Sequence, residues 1–236
     1  MTSPGPRSPL VSVLVPTLDE ERELPALLDD IEALHGRWEI VIADGGSRDA
    51  TAAIARGHAS GPLVLEAGDG RAAQLNAAAR AASGDVLLFL HVDSRLPRDA
   101  YASLAQAWRA EDVAGGNFAL RFDGGGTFER VLGAVYRFQR SHGFYYGDSS
   151  VWVRRERFDE LGGYREIPIM DDYDFVRRLE RGPGRTRCLP GPATTSARRW
   201  RTMGIPRTVL AWFAIRWLYV AGVSPQRLGR LYRIVR

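Results

Sequence analysis

Apolar runs alternate with amphipathic segments along the first half of the chain. Four apolar runs predict buried strands, and their sequences are LVSVLVP, WEIVIAD, PLVLEA and DVLLFLHVD. After the first run, large aliphatic residues recur at helical spacing, at Leu24, Leu27, Leu28, Ile31 and Leu34. Further helices are predicted near residues 49–57, 70–83 and 99–111. This alternation is typical of parallel strands covered by helices on both faces, and it predicts an α/β fold.

The pattern changes after Asp112. NFALRF alternates like a half-buried strand, three glycines follow it at positions 124–126, and aromatic residues crowd positions 136–146. A short strand is predicted in SSVWVRR, and helices at residues 128–140, 171–181, 206–220 and 225–234. We expect a single domain over residues 10–236 with two halves, 10–112 and 113–236, that share one sheet. The Pro- and Ser-rich residues 1–9 are expected to form a flexible leader.

The composition is that of a globular protein from a reducing compartment. The chain has 236 residues, of which 45% are hydrophobic and 25% charged, so it can bury a sizeable core. The single cysteine, Cys188, cannot form an internal disulfide, and the sequence does not open with a secretory signal pattern. We therefore expect a cytoplasmic location.

Positive charge is concentrated at the end of the sequence. Residues 181–236 contain 12 Arg and no Asp or Glu, and the whole chain contains no Lys. Guanidinium groups suit phosphate-like anions, although a genome that favours Arg codons would also account for the missing Lys. The cationic tail indicates an anionic partner, either a phosphorylated ligand or a membrane surface. Nucleic acid is not expected, because the sequence has no zinc-finger spacing, RNP-like motif or basic zipper.

The most apolar segment of this tail is VLAWFAIRWLYVAGV, at residues 209–223. It is about five residues too short to span a bilayer, and Arg216 interrupts it. The segment therefore predicts a helix that docks on the core or contacts the inner face of the membrane peripherally.

Polar residues follow three of the predicted strands. They are Pro16, Thr17, Asp19, Glu20 and Glu21 after the first, Asp44, Gly45, Gly46, Ser47 and Asp49 after the second, and His91, Asp93 and Ser94 after the fourth. Helix capping, as by Asp49, and tight turns at glycine would explain any one of them. Because ligands bind at the carboxyl ends of parallel strands, their convergence on one edge predicts a binding site.

His91 and Asp93 are the candidate metal ligands. They are two residues apart on a predicted strand, so both side chains would point the same way and could share a divalent cation, Mg²⁺ or Mn²⁺. The alternative is an ordinary hydrogen-bonded histidine at the strand end. The edge on which the pair lies favours the metal, with Asp93 as ligand and His91 as ligand or supporting contact.

Four segments in order, VSVLVPTLDEE, IVIADGGSRD, GRAAQLNAAARAASGD and LLFLHVDS, resemble the donor-site motifs of family 2 glycosyltransferases. The resemblance continues through GFYYGDSSVWVRR, an Asp171–Asp172 pair followed by FVRRLERG, and TSARRW. The later motifs are similar to a subgroup associated with arsenosugar biosynthesis, which includes the selenosugar synthase of selenoneine biosynthesis. The resemblance implies a GT-A fold: a Rossmann-like, mostly parallel sheet flanked by helices, with a helical C-terminal acceptor-side region.

The resemblance also implies a UDP-sugar donor bound by the half at 10–112. Donor-binding residues would be Pro16, Thr17 and Glu20 in the nucleoside pocket, Asp44 at the pyrimidine, Arg71 and Gln74 at the base or diphosphate, and Val92 and Asp93 near the metal. His91, Val92 and Asp93 take the place of the family's Asp-x-Asp motif, so His91 replaces its first Asp.

On the acceptor side, the resemblance implies that Asp172 is the catalytic base, with Asp171 beside it where Glu is commoner. First-turn helix capping is an alternative role for both carboxylates. Acceptor contacts would come from Gly147, Asp148, Arg198, Arg199 and Trp200. Ser196 stands where processive synthases carry the Gln of a QxxRW motif, so processive polymerisation is not expected.

The predicted reaction is displacement with inversion, in which a metal and Arg side chains neutralise the leaving diphosphate and Asp172 removes the acceptor's proton. The cationic cluster of Arg198, Arg199 and Arg201 favours a small anionic acceptor. The resemblance to the selenosugar synthase subgroup implies selenophosphate as the leading candidate. A lipid or other alcohol at the membrane surface is the alternative acceptor.

Two other classes of protein compete with this interpretation. GDGRAA, with Asp93 about twenty residues further on, fits a dinucleotide-binding fingerprint and an NAD(P)-dependent oxidoreductase. That fingerprint usually follows the first strand of a fold, whereas here it follows the third. A non-catalytic sugar- or nucleotide-binding protein is the other class. A P-loop is excluded, because its motif requires Lys.

Overall fold

The computed structural model describes residues 8–124, 126–196 and 205–235. Its strands are β1 (Val11–Thr17), β2 (Trp38–Asp44), β3 (Leu63–Glu66), β4 (Val86–Phe89), β5 (Ser94–Arg95), β6 (Val113–Phe122), β7 (Trp152–Arg154) and β8 (Arg185–Thr195). Its α-helices are α1 (Leu24–Glu32), α2 (Thr51–Gly57), α3 (Arg71–Ala81), α4 (Ala100–Trp108), α5 (Thr127–Ser141), α6 (Arg155–Glu160), α7 (Asp171–Arg181), α8 (Ile205–Val220) and α9 (Pro225–Val235). A 3₁₀ turn covers Gly147–Ser149.

The eight strands form one sheet in the order β3-β2-β1-β4-β7-β6-β8-β5. The four strands of the first half pair in parallel, which confirms the predicted α/β pattern. β7 is antiparallel to both β4 and β6, β8 is parallel to β6, and β5 is antiparallel to β8. The sheet is therefore mixed, and its second half continues directly from the first.

Helices cover both faces of the sheet because successive side chains on a strand point to opposite faces. Val13 and Val15 of β1 pack on one side, in a core shared with α1, α2 and α4. Leu14 points to the other side, where it packs in a core shared with α3, α6 and α7. With both faces of β1 buried, the functional groups of the sheet are confined to its edges and loops.

The C-terminal region is helical, as predicted. α8 and α9 form a hairpin whose connecting turn contains Gly222, which has φ +88°. On the inner side of α8, Trp212 and Ile215 join aromatic clusters that include Tyr136 and Tyr146. Among the described residues, no helix has the length and apolarity needed to cross a membrane.

Several element boundaries differ from the predictions. β4 ends at Phe89, so His91, Val92 and Asp93 lie in a turn, closed by the Ser94 N–H donating to the His91 carbonyl at 3.0 Å. The expectation that His91 and Asp93 point the same way along a strand is therefore wrong, although both side chains do reach one cleft, as shown below. α4 ends earlier than predicted, and α6, β5 and β8 were not predicted.

Only the end of the predicted leader is described. Ser8 accepts a hydrogen bond through its carbonyl from Arg37 at 2.7 Å, and the Pro9 carbonyl accepts one from the Tyr101 hydroxyl at 2.8 Å. Residues 1–7 lie outside the described residues.

Candidate active site

The carboxyl ends of β1 and β2 meet at Thr17 and Asp44, which are partners in the strand register. Oδ1 of Asp44 accepts from the Thr17 hydroxyl at 3.1 Å, and Oδ2 accepts from the N–H groups of Ser47 at 2.9 Å and Gly46 at 3.2 Å. Burial opposes the charged form, but the hydrogen bonds from Ser47, Thr17 and Gly46 outweigh it and hold the pKa of the Asp44 carboxyl below its ordinary value. The sheet edge therefore presents a fixed carboxylate.

Close packing between Gly45 and Gln74 fixes the same corner. Gln74 Nε2 donates to the Thr17 carbonyl at 3.3 Å, and that carbonyl also accepts from the Gly45 N–H at 2.9 Å. A Cβ atom at Gly45 would lie 1.9 Å from Gln74 Nε2, so only glycine allows the amide to sit there. Three of the predicted donor-binding residues are thus joined by hydrogen bonds, with Thr17 contacting both Asp44 and Gln74.

The loop after β1 is locked to the loop after β2. Asp19 has a left-handed backbone with φ +56°, and its N–H donates to the Ser47 hydroxyl at 2.9 Å. The Glu20 N–H donates to the Thr51 hydroxyl at 2.7 Å, and Asp49 accepts the Thr51 N–H at 2.9 Å. Asp19 and Asp49 therefore have structural roles. The predicted nucleoside-pocket residues Pro16 and Glu20 are both half-buried; Pro16 lies at the end of β1, and Glu20 lies in the loop that follows it.

The Asp171–Asp172 pair begins α7, directly after Met170, which adopts a left-handed conformation with φ +65°. Strained backbone of this kind concentrates at functional sites. Arg71, at the start of α3, donates through Nε to Asp171 Oδ2 at 3.0 Å and through Nη2 to Asp171 Oδ1, and its Nη2 lies 3.5 Å from Asp172 Oδ1. One guanidinium thus joins α3 to both carboxylates.

The two carboxylates have different environments. Burial and the neighbouring charge of Asp172 raise the pKa of Asp171, although Arg71 opposes the shift. At Asp172, burial is outweighed by Arg71 and by two backbone N–H donors, Gly147 at 3.0 Å and Tyr173 at 2.7 Å, so the pKa of this carboxyl lies below its ordinary value. Of the two carboxyls, Asp172 is therefore the one whose ionised form is favoured more strongly.

A single cleft brings together most of the predicted chemistry. Its lining includes Arg71, His91, Asp93, Asp148, Asp172, Thr195 and Ser196. β5 pairs with the end of β8 through Ser94 and Thr195, which places the 91–93 turn against Ser196. Gly147 separates His91 from Asp172, because a Cβ there would lie 2.9 Å from His91 Nε2 and 3.3 Å from Asp172 Oδ2. Val92, the middle residue of the 91–93 turn, is buried in the core and does not line the cleft.

Aromatic residues that the sequence did not single out complete the cleft. Phe122, Tyr136, Tyr146 and Trp212 line it. The Tyr136 hydroxyl donates to Asp148 Oδ2 at 3.1 Å, and burial together with this carboxylate raises the pKa of Tyr136. Burial also raises the pKa of Tyr146 to about 12. The crowding of aromatic residues at 136–146 was the available signal, but a core role would produce the same crowding.

The cleft offers suitable ligands for a hard divalent cation. Mg²⁺ in enzymes is usually held by one or two carboxylates together with substrate phosphates, and not by a complete cage of protein ligands. Asp93 and His91 face the cleft beside Asp148 and Asp172, so the donor set fits a cation shared with a bound diphosphate. Among the described residues, the group close enough to form a metal site by itself is elsewhere, at Asp29, Glu32 and His58, near the ends of α1 and α2.

The predicted acceptor residues are only partly visible. Gly147 binds Asp172 through its N–H, and Asp148 lines the cleft; their contact with an acceptor stays a prediction. Arg198, Arg199, Trp200 and the neighbouring Arg201 lie outside the described residues, so their role stays a prediction. An adjoining cavity shares Arg71, His91, Asp172 and Trp212 with the cleft, and it is also lined by residues of α9, among them Arg230 and Tyr232.

Comparison with known proteins agrees with this geometry. The sequence profile described as "Glycosyl transferase family 2" matches residues 12–166. A PGL/p-HBAD biosynthesis glycosyltransferase of Mycobacterium bovis is 30% identical over 192 residues, which cover 75% of this chain and 72% of that protein. An undecaprenyl-phosphate 4-deoxy-4-formamido-L-arabinose transferase of Pseudomonas fluorescens is 36% identical over 116 residues, covering 44% of this chain and 34% of that protein.

Solved structures show the same fold. The mannosyltransferase PcManGT from Pyrobaculum calidifontis, in complex with GDP-Man and Mn²⁺, superposes with a TM-score of 0.70 at 23% identity, covering 97% of this chain and 70% of that one. TarS of S. aureus in complex with UDP-GlcNAc gives a TM-score of 0.63 at 14% identity, covering 79% and 58%. The fold is therefore GT-A, and the chain belongs to glycosyltransferase family 2.

Proposed function

We propose that the protein transfers a sugar from a nucleoside diphosphate sugar, with UDP as its nucleotide, to an acceptor hydroxyl with inversion at the anomeric carbon. The observation that carries this proposal is the placement of Asp172. Its ionised carboxylate lies in one cleft with Arg71, Asp93 and His91. A catalytic base (Asp172), a guanidinium (Arg71) and two candidate metal ligands (Asp93 and His91) thus face the same cleft.

The donor would lie along the edge from Asp44 to Asp93. Asp44 and Thr17 offer a carboxylate and a hydroxyl to the nucleoside, and Gln74 closes that corner. Arg71 and the N-terminus of α3 would face the diphosphate, because positive charge and free N–H groups favour anions there. Two structures with the same fold hold GDP-Man and UDP-GlcNAc, which supports a nucleotide-sugar donor. Because the two ligands differ in their nucleobase, the choice of uracil is left to experiment.

Mg²⁺ or Mn²⁺ would be held by Asp93, with His91 as a second ligand or a supporting contact. When bound, the cation would neutralise charge on the leaving diphosphate. The structural neighbour in complex with Mn²⁺ supports this assignment. The exposed Asp29, Glu32 and His58 group is not part of the proposal, because His58 already contacts Ser60 and Asp29 at 2.9 and 3.2 Å.

In the reaction, the acceptor oxygen forms a bond to the anomeric carbon while the bond from that carbon to the diphosphate oxygen breaks. The electron pair leaves with the nucleoside diphosphate, and the acceptor's proton passes to Asp172. Positioned bases of this kind contribute about 10²- to 10⁴-fold in rate. Asp171 accepts two hydrogen bonds from the Arg71 guanidinium. We therefore assign Asp171 the role of holding Arg71 in position. A single displacement inverts the anomeric carbon.

Two acceptor classes compete. A lipid or other alcohol is the class that the described residues favour, since a hydroxyl needs a base and Asp172 is held ready as one. One relative acts in PGL/p-HBAD biosynthesis and another is an undecaprenyl-phosphate transferase, which supports a lipid-linked acceptor. The oxygen of a lipid phosphate is already ionised, so such an acceptor would need Asp172 less than a lipid hydroxyl does. Selenophosphate remains the second candidate. It depends on Arg198 and Arg199, and its selenium would already be ionised, so it would need Asp172 less.

The deciding experiment is mass-spectrometric product detection. Purified enzyme with Mn²⁺ is mixed with a panel of UDP- and GDP-sugars and, in parallel, with a polyprenyl phosphate, a phenolic alcohol or selenophosphate. The proposal expects a glycosylated alcohol or lipid, lost on chelation. Asp172→Asn should slow transfer to a hydroxyl strongly, and transfer to selenophosphate or to a polyprenyl phosphate little, because both of these nucleophiles are already ionised. A selenium-containing sugar as the only product would reverse the acceptor assignment, and donors that are bound but never cleaved would refute the activity.

A further inference from the structure

α8 exposes a continuous apolar face to solvent. Leu210, Phe213, Trp217 and Val220 are 70%, 51%, 64% and 56% exposed. Their spacing of three, four and three residues places them along one side of the helix. Contiguous exposed apolar patches on a protein surface can mark interaction sites. We call these four residues the α8 outer face.

The opposite side of α8 holds the helix in place. Ile215 is buried and Trp212 packs edge-on against Tyr146 with ring centroids 5.5 Å apart. The Arg216 guanidinium lies 4.5 Å from the centre of the Phe144 ring. The outer face is therefore not a misplaced core surface, because the core side of this helix is already occupied.

The hairpin that carries the outer face is cationic. α9 packs on α8 and exposes Arg227, Arg230 and Leu231. No Asp or Glu occurs anywhere in residues 181–236, so no acidic side chain of the hairpin opposes these guanidinium groups. Exposed aromatic residues beside Arg are the composition of helices that lie in the headgroup region of anionic membranes.

We propose that the α8–α9 hairpin docks the enzyme on the surface of an anionic lipid bilayer. Phe213 and Trp217 insert at the level of the headgroups, and Arg227 and Arg230 contact the lipid phosphates. α8 has 16 residues and is roughly 24 Å long, shorter than the hydrocarbon core of about 30 Å, so the helix lies in the interface and does not span it.

Docking in this way brings the cleft to the membrane. Trp212, on the inner side of the same helix, lines the cleft, and Arg230 and Tyr232 of α9 line the adjoining cavity. An acceptor anchored in the bilayer would reach Asp172 by passing along this hairpin. The docking itself is independent of the chemistry, but the choice of a lipid-linked acceptor rests on the proposed function.

The test is binding of the full chain to vesicles, by co-sedimentation. Phosphatidylcholine vesicles are compared with vesicles that also contain phosphatidylglycerol. We expect binding to the anionic vesicles that decreases with salt, a loss of about tenfold or more for Phe213→Ser with Trp217→Ser, and a loss of about fivefold for Arg227→Gln. Brominated acyl chains should quench the tryptophan fluorescence, and Trp217→Phe should remove most of that quenching while retaining binding.

Leu63→Ser is the matched control, because Leu63 is also an exposed aliphatic residue but lies on the edge strand β3 at the far side of the sheet. Circular dichroism establishes that each variant is folded. Donor hydrolysis without vesicles should be unchanged by Phe213→Ser with Trp217→Ser, so failure of docking and failure of the transferase proposal are distinguishable. The inference is overturned if the wild-type protein does not bind anionic vesicles. It is also overturned if the protein is a dimer in solution and Phe213→Ser with Trp217→Ser dissociates that dimer.

Discussion

Arg71 binds Asp171 through two N–H groups, with 3.0 Å between Nε and Oδ2, and its Nη2 also lies 3.5 Å from Oδ1 of Asp172. Asp171 and Asp172 are 4% and 7% exposed, so this guanidinium offsets two buried negative charges at once. It stands where the proposed donor diphosphate would bind. We therefore expect the same group to contribute to both folding stability and donor binding.

Arg71→Ala should lose both contributions. Removing one partner of a buried ion pair leaves an uncompensated charge, and we expect the free energy of unfolding to fall by about 3 kcal/mol. The pKa of Asp172 should rise, because Arg71 is the main group that lowers it. Denaturant unfolding and donor turnover measure the two effects.

The double variant Arg71→Leu with Asp171→Leu separates them. It replaces the Arg71–Asp171 pair by apolar groups, so most of the lost stability should return while turnover stays lost. The part that does not return is the cost of leaving Asp172 with two backbone N–H donors and no guanidinium. Recovery of turnover along with stability would show that Arg71 acts only in the fold. An Arg71→Ala variant as stable as the wild type would contradict the account of the buried charges.

Asp172→Asn should lower kcat for a hydroxyl acceptor by about 10²- to 10⁴-fold with little change in donor affinity. The amide has nearly the same shape, but it cannot take the proton. Asp174→Asn is the control, since Asp174 is also buried near the start of α7 but pairs with Arg165 and Arg178, away from the cleft. Steady-state kinetics and a calorimetric UDP titration give both values. Equal losses in the two variants would assign Asp172 a structural role.

Ser47→Ala should make nucleotide binding more sensitive to acid. Hydrogen bonds from the Ser47 side chain and N–H stabilise the charged form of Asp44 and lower its pKa against the effect of burial. Without the hydroxyl the pKa rises, so the loss of UDP affinity on lowering the pH should begin at a higher pH than in the wild type. Titrations across the acidic range test this. Identical pH profiles would show that Asp44 does not bind the nucleotide in its charged form.

The parallel half of the fold was predictable because its signals are local. β1, β2 and β4 are mostly apolar runs, as expected for strands buried on both faces. β3 is also an apolar run, but it is an edge strand without a fully buried residue, so the prediction of a buried strand there is wrong. β8 could not be found in this way, because Pro190 and Pro192 flank Gly191 within it, a combination that usually marks a turn. The strand exists because β6 beside it supplies the pairing, with a register irregularity near that point.

The site was predictable as a set of residues but not as a geometry. The polar residues at the ends of β1 and β2 converge because parallel strands share an edge. Arg71 and Asp171 are 100 positions apart, and no local pattern indicates that they pair. The sequence predicts strand at His91 because the apolar run LLFL continues into the alternating residues His91, Val92 and Asp93, whereas the observed chain leaves the sheet after Phe89. Both the Arg71–Asp171 pair and the end of β4 are therefore set by contacts between distant parts of the sequence.

Gly147→Ala is the most selective test of the cleft. The backbone at Gly147 does not have a positive φ, so alanine can adopt it, and the N–H that binds Asp172 is kept. The added Cβ would lie 2.9 Å from His91 Nε2 and 3.3 Å from Asp172 Oδ2, and one of these groups must move. Turnover should fall by about tenfold or more while the free energy of unfolding changes by less than about 1 kcal/mol.

Gly133→Ala is the matched control, because a Cβ there would meet only ordinary contacts, 3.7 Å from Arg137 Nη1 and 3.9 Å from the Leu120 carbonyl. It should stabilise α5 by about 0.5–1 kcal/mol and leave turnover unchanged. The cause of the Gly147 effect follows from a double-mutant cycle with His91→Ala. If contact with the imidazole is the damage, adding Gly147→Ala to His91→Ala should cost little further turnover. Additive losses would instead mean that the methyl group displaces Asp172, which would identify the carboxylate as the group whose position limits the reaction.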